Sequence, residues 1–219
     1  IVMIQSLKTS DKKTGEELMI DLNKMFKPDS VAVIGASNTP GKVGYIIVDN
    51  LINDGFEGEI YPVNPKGGEI LGKTAYANIK DVPGKVDLVI ITIPSPFVNT
   101  AVKECGEVGI ENMVVITAGF KEVGEEGAKL EAELTALGEE YGINIIGPNS
   151  LGITDSHTPL NGSFSHMMPP TGNIAFISQS GAMMVAIIDW SVTSGIGFSK
   201  VISLGNKAGV TEIELLQYL

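Results

Sequence analysis

Two loops carry the residues best suited to chemistry. The first is Gly35-Ala36-Ser37-Asn38-Thr39-Pro40-Gly41-Lys42-Val43-Gly44, which follows the apolar run Val31-Ala32-Val33-Ile34. A strand that enters a glycine-bearing turn and then a helix aims backbone N–H groups and the helix N-terminus at an anion. Gly35, Gly41 and Gly44 allow the backbone to approach phosphates closely. Ser37 and Pro40 complete the turn, and Lys42 adds a cation. The second loop, Asn64-Pro65-Lys66, ends the next apolar run. A dinucleotide fold carries Asp or Glu there to hold a ribose diol. A lysine suits a nucleotide with an extra phosphate instead, so coenzyme A, with its 3′-phosphate, fits better than NAD. The plain alternative for each loop is a tight turn with no ligand.

A further anion site is Ser178-Gln179-Ser180-Gly181, between a strand pattern and a helix pattern. Ser180, Gly181 and Ala182 can offer N–H groups there. Other residues read more plainly. Cys105 lies in an apolar helical stripe and belongs to a core. His157 and His166 have no metal-like spacing and face solvent. Trp190 continues a helix and serves packing.

The elements that position these loops follow from periodicity. Strand-like runs occupy 31–35, 60–63, 86–93, 113–117 and 143–146. Helical stripes lie between most of them: Val43, Ile47 and Leu51; Val98, Val102 and Cys105; Leu130, Leu134, Leu137 and Tyr141. Seven glutamates between positions 122 and 140 mark the last of these as a solvated face. Short apolar strands alternating with amphipathic helices predict a parallel sheet covered on both faces. Right-handed crossovers put every strand's carboxyl end on one edge. On that edge fall Gly35, Asn64-Pro65-Lys66, Thr92-Ile93-Pro94-Ser95-Pro96, Thr117-Ala118-Gly119-Phe120 and Gly147-Pro148-Asn149-Ser150. Ser95 suits a helix cap with Pro96 at the first helical position. The fold expected is α/β: an arm over 1–25, a Rossmann-like unit over 26–153, a linker with room for a hairpin over 154–172, and a partial second α/β unit over 173–219.

Bulk properties narrow the function. The 219 residues carry a net charge of -11, which argues against nucleic acid as a partner. No apolar stretch reaches membrane-spanning length, and no signal segment opens the chain. One cysteine excludes an internal disulfide and suits a reducing cytoplasm. A start at Ile1 and a stop inside a helical pattern are expected of a fragment.

Residues 31–44, 61–66, 92–98, 116–121, 147–152 and 178–183 resemble the CoA-binding alpha subunit of the nucleoside-diphosphate-forming acyl-CoA synthetases. The likeness is nearest to ADP-forming acetate–CoA ligase, and succinyl-CoA synthetase is more distant. It runs from about Phe26 to the end. It implies a Rossmann-like CoA-binding domain followed by the start of a flavodoxin-like domain. The implied reaction is acyl-CoA + ADP + phosphate ⇌ acid + CoA + ATP, through an acyl phosphate and a phosphohistidine. CoA would lie against Ile93, Pro94, Ser95, Pro96, Thr117, Ala118 and Gly119, with Asn149 where the thiol meets the acyl group. Ser180 and Gly181 would hold phosphate or the phosphoryl group. ATP or ADP with Mg belongs to an ATP-grasp beta subunit or fused domain, in an oligomeric assembly. No metal site and no phosphoacceptor histidine are expected within these residues. Gly209 stands where the family has Asp. Gln217 replaces a Glu expected to steady the phosphohistidine, which leaves the phosphoryl step without that carboxylate. Other readings are the CoA-binding region of a protein lysine acetyltransferase, a non-catalytic CoA- or nucleotide-sensing module, and an NAD-binding domain, the last disfavoured by the missing acidic residue.

Overall fold

The computed structural model describes the backbone of residues 2–5 and, in full, residues 20–219. The expected arm is partly a strand, β1 (Val2–Gln5), followed after an interval outside the described residues by a single helical turn, α1 (Asn23–Phe26). The alternation then begins: β2 (Ser30–Ile34), α2 (Val43–Asn53), β3 (Glu59–Val63), and a small ribbon of β4 (Gly68–Ile70) and β5 (Lys73–Ala75). It continues with β6 (Leu88–Ile91), α3 (Ser95–Glu107), β7 (Asn112–Val115), α4 (Glu125–Tyr141) and β8 (Asn144–Ile146). A hairpin follows, β9 (Gly152–Asp155) and β10 (Leu160–Ser163), then β11 (Thr171–Ser178), α5 (Gly181–Ser194), β12 (Phe198–Ser203) and α6 (Glu212–Tyr218).

The first sheet has the order β3-β2-β6-β7-β8 and is parallel throughout. Its inner strands β2, β6 and β7 are buried along their whole length, which is why they read as unbroken apolar runs. The second sheet has the order β1-β11-β12-β9-β10. Only β11 and β12 pair in parallel; β1, β9 and β10 join antiparallel.

The stretch 154–172 is therefore not a linker. Its hairpin is part of the second sheet, and β9 pairs directly with β12 through Lys200–Asp155, Val201–Thr154 and Ile202–Ile153. One apolar cluster runs through both sheets, from Leu22, Val33, Leu51 and Ile90 to Ile153, Ile177, Ile202 and Leu215. The polar look of 154–172 comes from buried side chains, most of them partnered, although Thr154 Oγ1 has no partner. Asn161 donates to Asp54 at 2.7 Å, and Asn50 donates to the carbonyls of Ser163 and Ser165 at 2.9 and 2.7 Å.

Cys105 is fully buried on the inner face of α3, and His157 and His166 are exposed. Trp190 departs from expectation. It is 47 % exposed, on a helix whose Met183, Val185 and Val192 also face outward. Helix α5 is apolar on nearly all sides, so its pattern could not reveal which side is covered. The glutamate-rich face is solvated except at Glu131, which is buried and pairs with Lys121 at 2.7 Å. Among the described residues no helix is long and apolar enough to cross a membrane.

Candidate functional site

From β2 the chain runs outward to β3, then crosses to β6 on the opposite side. Loops that leave two neighbouring strands in opposite directions open a crevice at the carboxyl edge. Gly35 leaves β2 there with φ +94, and its N–H donates to Val63 O at 2.9 Å. A Cβ on Gly35 would stand 2.5 Å from Thr92 Oγ1, and one on Gly44 only 2.0 Å from the Gly35 carbonyl oxygen. These two glycines let α2 seat against the strand end. Gly41 differs: φ is +82, but a Cβ would meet nothing within 4 Å. It shapes the turn and keeps the space above it open.

Several of the expected residues hold the loops to one another. Asn64 Nδ2 donates to Ala36 O at 2.8 Å while its Oδ1 accepts from Lys66 N at 2.9 Å. Ser37 Oγ accepts from Thr39 N, Thr92 Oγ1 donates to Ile34 O, and Thr117 Oγ1 donates to Ile93 O. The Gly119 N–H is taken by Glu122 Oε1 at 2.5 Å, and a Cβ there would meet Ser95 Oγ. Pro94 is the N-cap of α3 and Ser95 its first helical residue, so Ser95 does not cap the helix. Lys42 and Lys66 are exposed, and among the described residues neither is paired with a carboxylate. Both are available to phosphate.

The edge opens into two cavities that share Ile93 and Pro94. One is an apolar groove of about 440 Å³ between Ile34, Gly35, Val63 and Pro65 on one side and Phe97 and Ala101 on the other, with Asn78 and Glu104 at its end. The other is a cleft of about 840 Å³ between the two sheets. Thr92, Ile93, Pro94, Thr117, Ala118 and Asn149 line its first wall; Gln179, Ser180, Gly181, Ala182 and Val185 line its second. Ser180 caps α5, its Oγ accepting from Met183 N at 3.3 Å, and its own N–H donates to Ser178 Oγ at 3.0 Å. Of the three N–H groups expected to face an anion, those of Gly181 and Ala182 are left, because first-turn donors have no partner within a helix.

Sequence reasoning missed Asn78, Phe97 and Glu104 in the groove and Phe164 and Val185 in the cleft. Phe97 was within reach: it sits three and four residues before Thr100 and Ala101, on one helical face just after the edge loop. Beneath the cleft lies a polar cluster in which only Asn149 was expected to take part in a site. Asn206 Nδ2 donates to Glu122 Oε2 at 2.6 Å and Glu131 Oε2 at 2.8 Å, and Asn149 Nδ2 donates to Asn206 Oδ1 at 3.3 Å. Burial pushes the Glu122 carboxyl up, but donors from Gly119, Asn206 and Phe120 hold it below its ordinary range. Gly209 packs so that a Cβ would lie 2.9 Å from Ile145 O, leaving no room for an Asp without movement. Gln217 is exposed and lines a separate depression with Asp21 and Glu214, away from the cleft.

A parallel sheet with a crevice at its carboxyl edge is joined to a second sheet whose helix α5 begins in the wall of the cleft between them, an α/β pair of the CoA-binding and ligase type. Residues 29–156 match the CoA binding domain family, and residues 171–219 match the succinyl-CoA ligase like flavodoxin domain. An ADP-forming acetate–CoA ligase of Archaeoglobus fulgidus is 50 % identical over 90 % of this chain. The alpha subunit of ADP-forming acetate–CoA ligase I of Pyrococcus furiosus is 43 % identical over 91 %. The chain spans 29 % and 44 % of the length of these two relatives. Acetyl-coenzyme A synthetase 1 of Candidatus Korarchaeum cryptofilum, solved with phosphate and ADP, superposes with a TM-score of 0.86 at 40 % identity, over 90 % of this chain and 42 % of that one. The chain belongs to the CoA binding domain family, in the two-domain arrangement it shares with ADP-forming acetate–CoA ligases.

Proposed function

We propose that this chain is the CoA-binding part of an ADP-forming acyl-CoA synthetase, which interconverts acyl-CoA, ADP and phosphate with acid, CoA and ATP. The observation that carries the reading is that groove and cleft lie side by side, sharing Ile93 and Pro94 in their walls, with the N-terminus of α5 lining the cleft. The nucleotide end of CoA fits the apolar groove, with its phosphates toward Lys42, Lys66 and the Gly35 loop. The pantetheine arm then reaches the cleft, where Gly181 and Ala182 offer N–H groups to phosphate. The relative solved with phosphate and ADP supports a phosphate-dependent reaction. An ATP-grasp subunit or fused domain would bring ATP or ADP with Mg, in an oligomer, and the nucleotide and CoA pools it draws on put the assembly in the cytoplasm.

Calorimetric titration tests this. CoA should bind more tightly than dephospho-CoA by about 1.5–3 kcal/mol, the scale of one hydrogen bond to a charged group. NAD should bind poorly. NAD binding more tightly than CoA would overturn the assignment.

A further inference from the structure

The cluster under the cleft has one feature that loop scaffolding does not require. The Asn206 amide sits between two carboxylates on one side and another amide on the other. Ionised carboxylates only accept hydrogen bonds. Both Asn206 N–H groups must therefore face Glu122 and Glu131, and the reverse orientation would set its oxygen against two anions. Asn206 Oδ1 is then left as an acceptor facing Asn149. That dictates the second amide: Asn149 must turn its Nδ2 toward Asn206. Its Oδ1 and second N–H remain for the cleft that Asn149 lines.

The rest of the cluster holds this arrangement rigid. Glu131 is buried and bound at its other oxygen by Lys121 Nζ at 2.7 Å. Lys121 Nζ also donates to the Asn206 carbonyl, so the backbone of residue 206 is fixed along with its side chain. Glu122 is bound at its other oxygen by the N–H groups of Gly119 and Phe120. Asn149 itself sits at φ +55, with its N–H on Thr117 O at 2.8 Å. Every group in the chain of contacts thus has one orientation, set by two carboxylates that do not line the cleft.

We infer that Asn206 is a positioning residue. Through the charges of Glu122 and Glu131 it fixes the Asn149 amide so that Oδ1 accepts a hydrogen bond from an N–H or S–H group of the pantetheine arm. The inference rests on the CoA reading above. It also couples the two units. Asn206 follows β12 of the second sheet, whereas Asn149, Glu122 and Glu131 follow or belong to elements of the first. Separation of the sheets would free Asn149 to rotate.

The test uses the full chain and two probes: CoA, and adenosine 3′,5′-bisphosphate, which keeps the nucleotide end but lacks the pantetheine arm. Asn206→Ala should weaken CoA about three- to tenfold, the loss of one neutral hydrogen bond. The bisphosphate should bind as before. Asn149→Ala should give the same selective loss, and the double variant Asn149→Ala/Asn206→Ala should be no worse than Asn149→Ala alone. Additive losses, equal weakening of both probes, or unchanged CoA affinity would overturn the relay. If Asn206→Ala does not fold, Asn206→Ser, which keeps one donor for the carboxylates, carries the same comparison. A wild-type chain that binds neither probe would overturn the CoA reading itself. Binding of both probes with no response at Asn206 would overturn the relay alone.

Discussion

Cys105 shows how a buried residue sets a pH response. It is enclosed on the inner face of α3, and burial, reinforced by the neighbouring Glu104 charge, pushes its thiol up to about 12. The folded value lies above the unfolded one, so the folded state holds the proton more tightly. Stability from this group is complete below about pH 9 and is lost as pH climbs toward 12. In Cys105→Ala that slope should vanish, leaving a constant offset from lost packing. Urea titrations at pH 8, 9, 10 and 10.5 should show the wild-type advantage shrinking by about 1.4 kcal/mol per pH unit once above 9. A difference that stays flat would mean the thiol ionises inside the fold. At this scale the sequence was legible where one residue type had one use. Gly35 and Gly44 stood out in the sequence as sites where the backbone could approach phosphate closely. The structure shows what packs against them: the Thr92 and Ile93 side chains at Gly35, and the Gly35 carbonyl at Gly44. The contact of Glu131 with Asn206 was illegible because a buried carboxylate and a half-buried amide look like surface residues until the two, 75 positions apart, are brought together.

Among the elements, the parallel strands were legible because burial on both faces strips them of polar residues. The β9–β10 hairpin was legible only as a turn within a linker and not as sheet, since its buried Thr154, Asp155, Asn161 and Ser163 carry the composition of a loop. Asp54, just past α2, takes the Asn161 amide, Asn161 takes the Ser163 hydroxyl, Lys200 pairs with Asp155, Thr154 Oγ1 has no partner, and α2 itself reaches the hairpin backbone. Asn50 closes two of those contacts, donating to Ser163 O and Ser165 O from a side chain that is nearly inaccessible. Asn50→Ala should leave both carbonyls unpaired and cost about 2 kcal/mol or more, since each stranded buried acceptor costs roughly 1–3. Chemical denaturation would measure it. A loss under about 0.5 kcal/mol would show that the hairpin does not depend on α2 for its polar partners. Helix α5 marks a different limit. Its sequence gives a helix with certainty and a face not at all, so Trp190 was read as packing when it is largely exposed.

The whole molecule is held together by a joint that no local pattern announces. Asp155 on β9 is fully buried and pairs with Lys200 on β12 at 3.0 Å. The Lys200 ammonium also lies 5.8 Å and 5.7 Å from the ring centres of Phe26 and Tyr218, which stack at 5.2 Å. Four segments meet there: the turn before the first sheet, the hairpin, the second sheet and the last helix. Since one apolar cluster also passes through both sheets, neither can open alone without exposing the other's core. Unfolding should therefore be a single transition, with calorimetric and van't Hoff enthalpies equal. Asp155→Asn should lower that transition without splitting it. Removing one partner strands the other charge in the interior and costs about 3–5 kcal/mol. Two resolved transitions, in the wild type or the variant, would mean that the sheets are independent units. The cleft between them would then open on its own, and the Asn149–Asn206 contact that spans it would be the first to part.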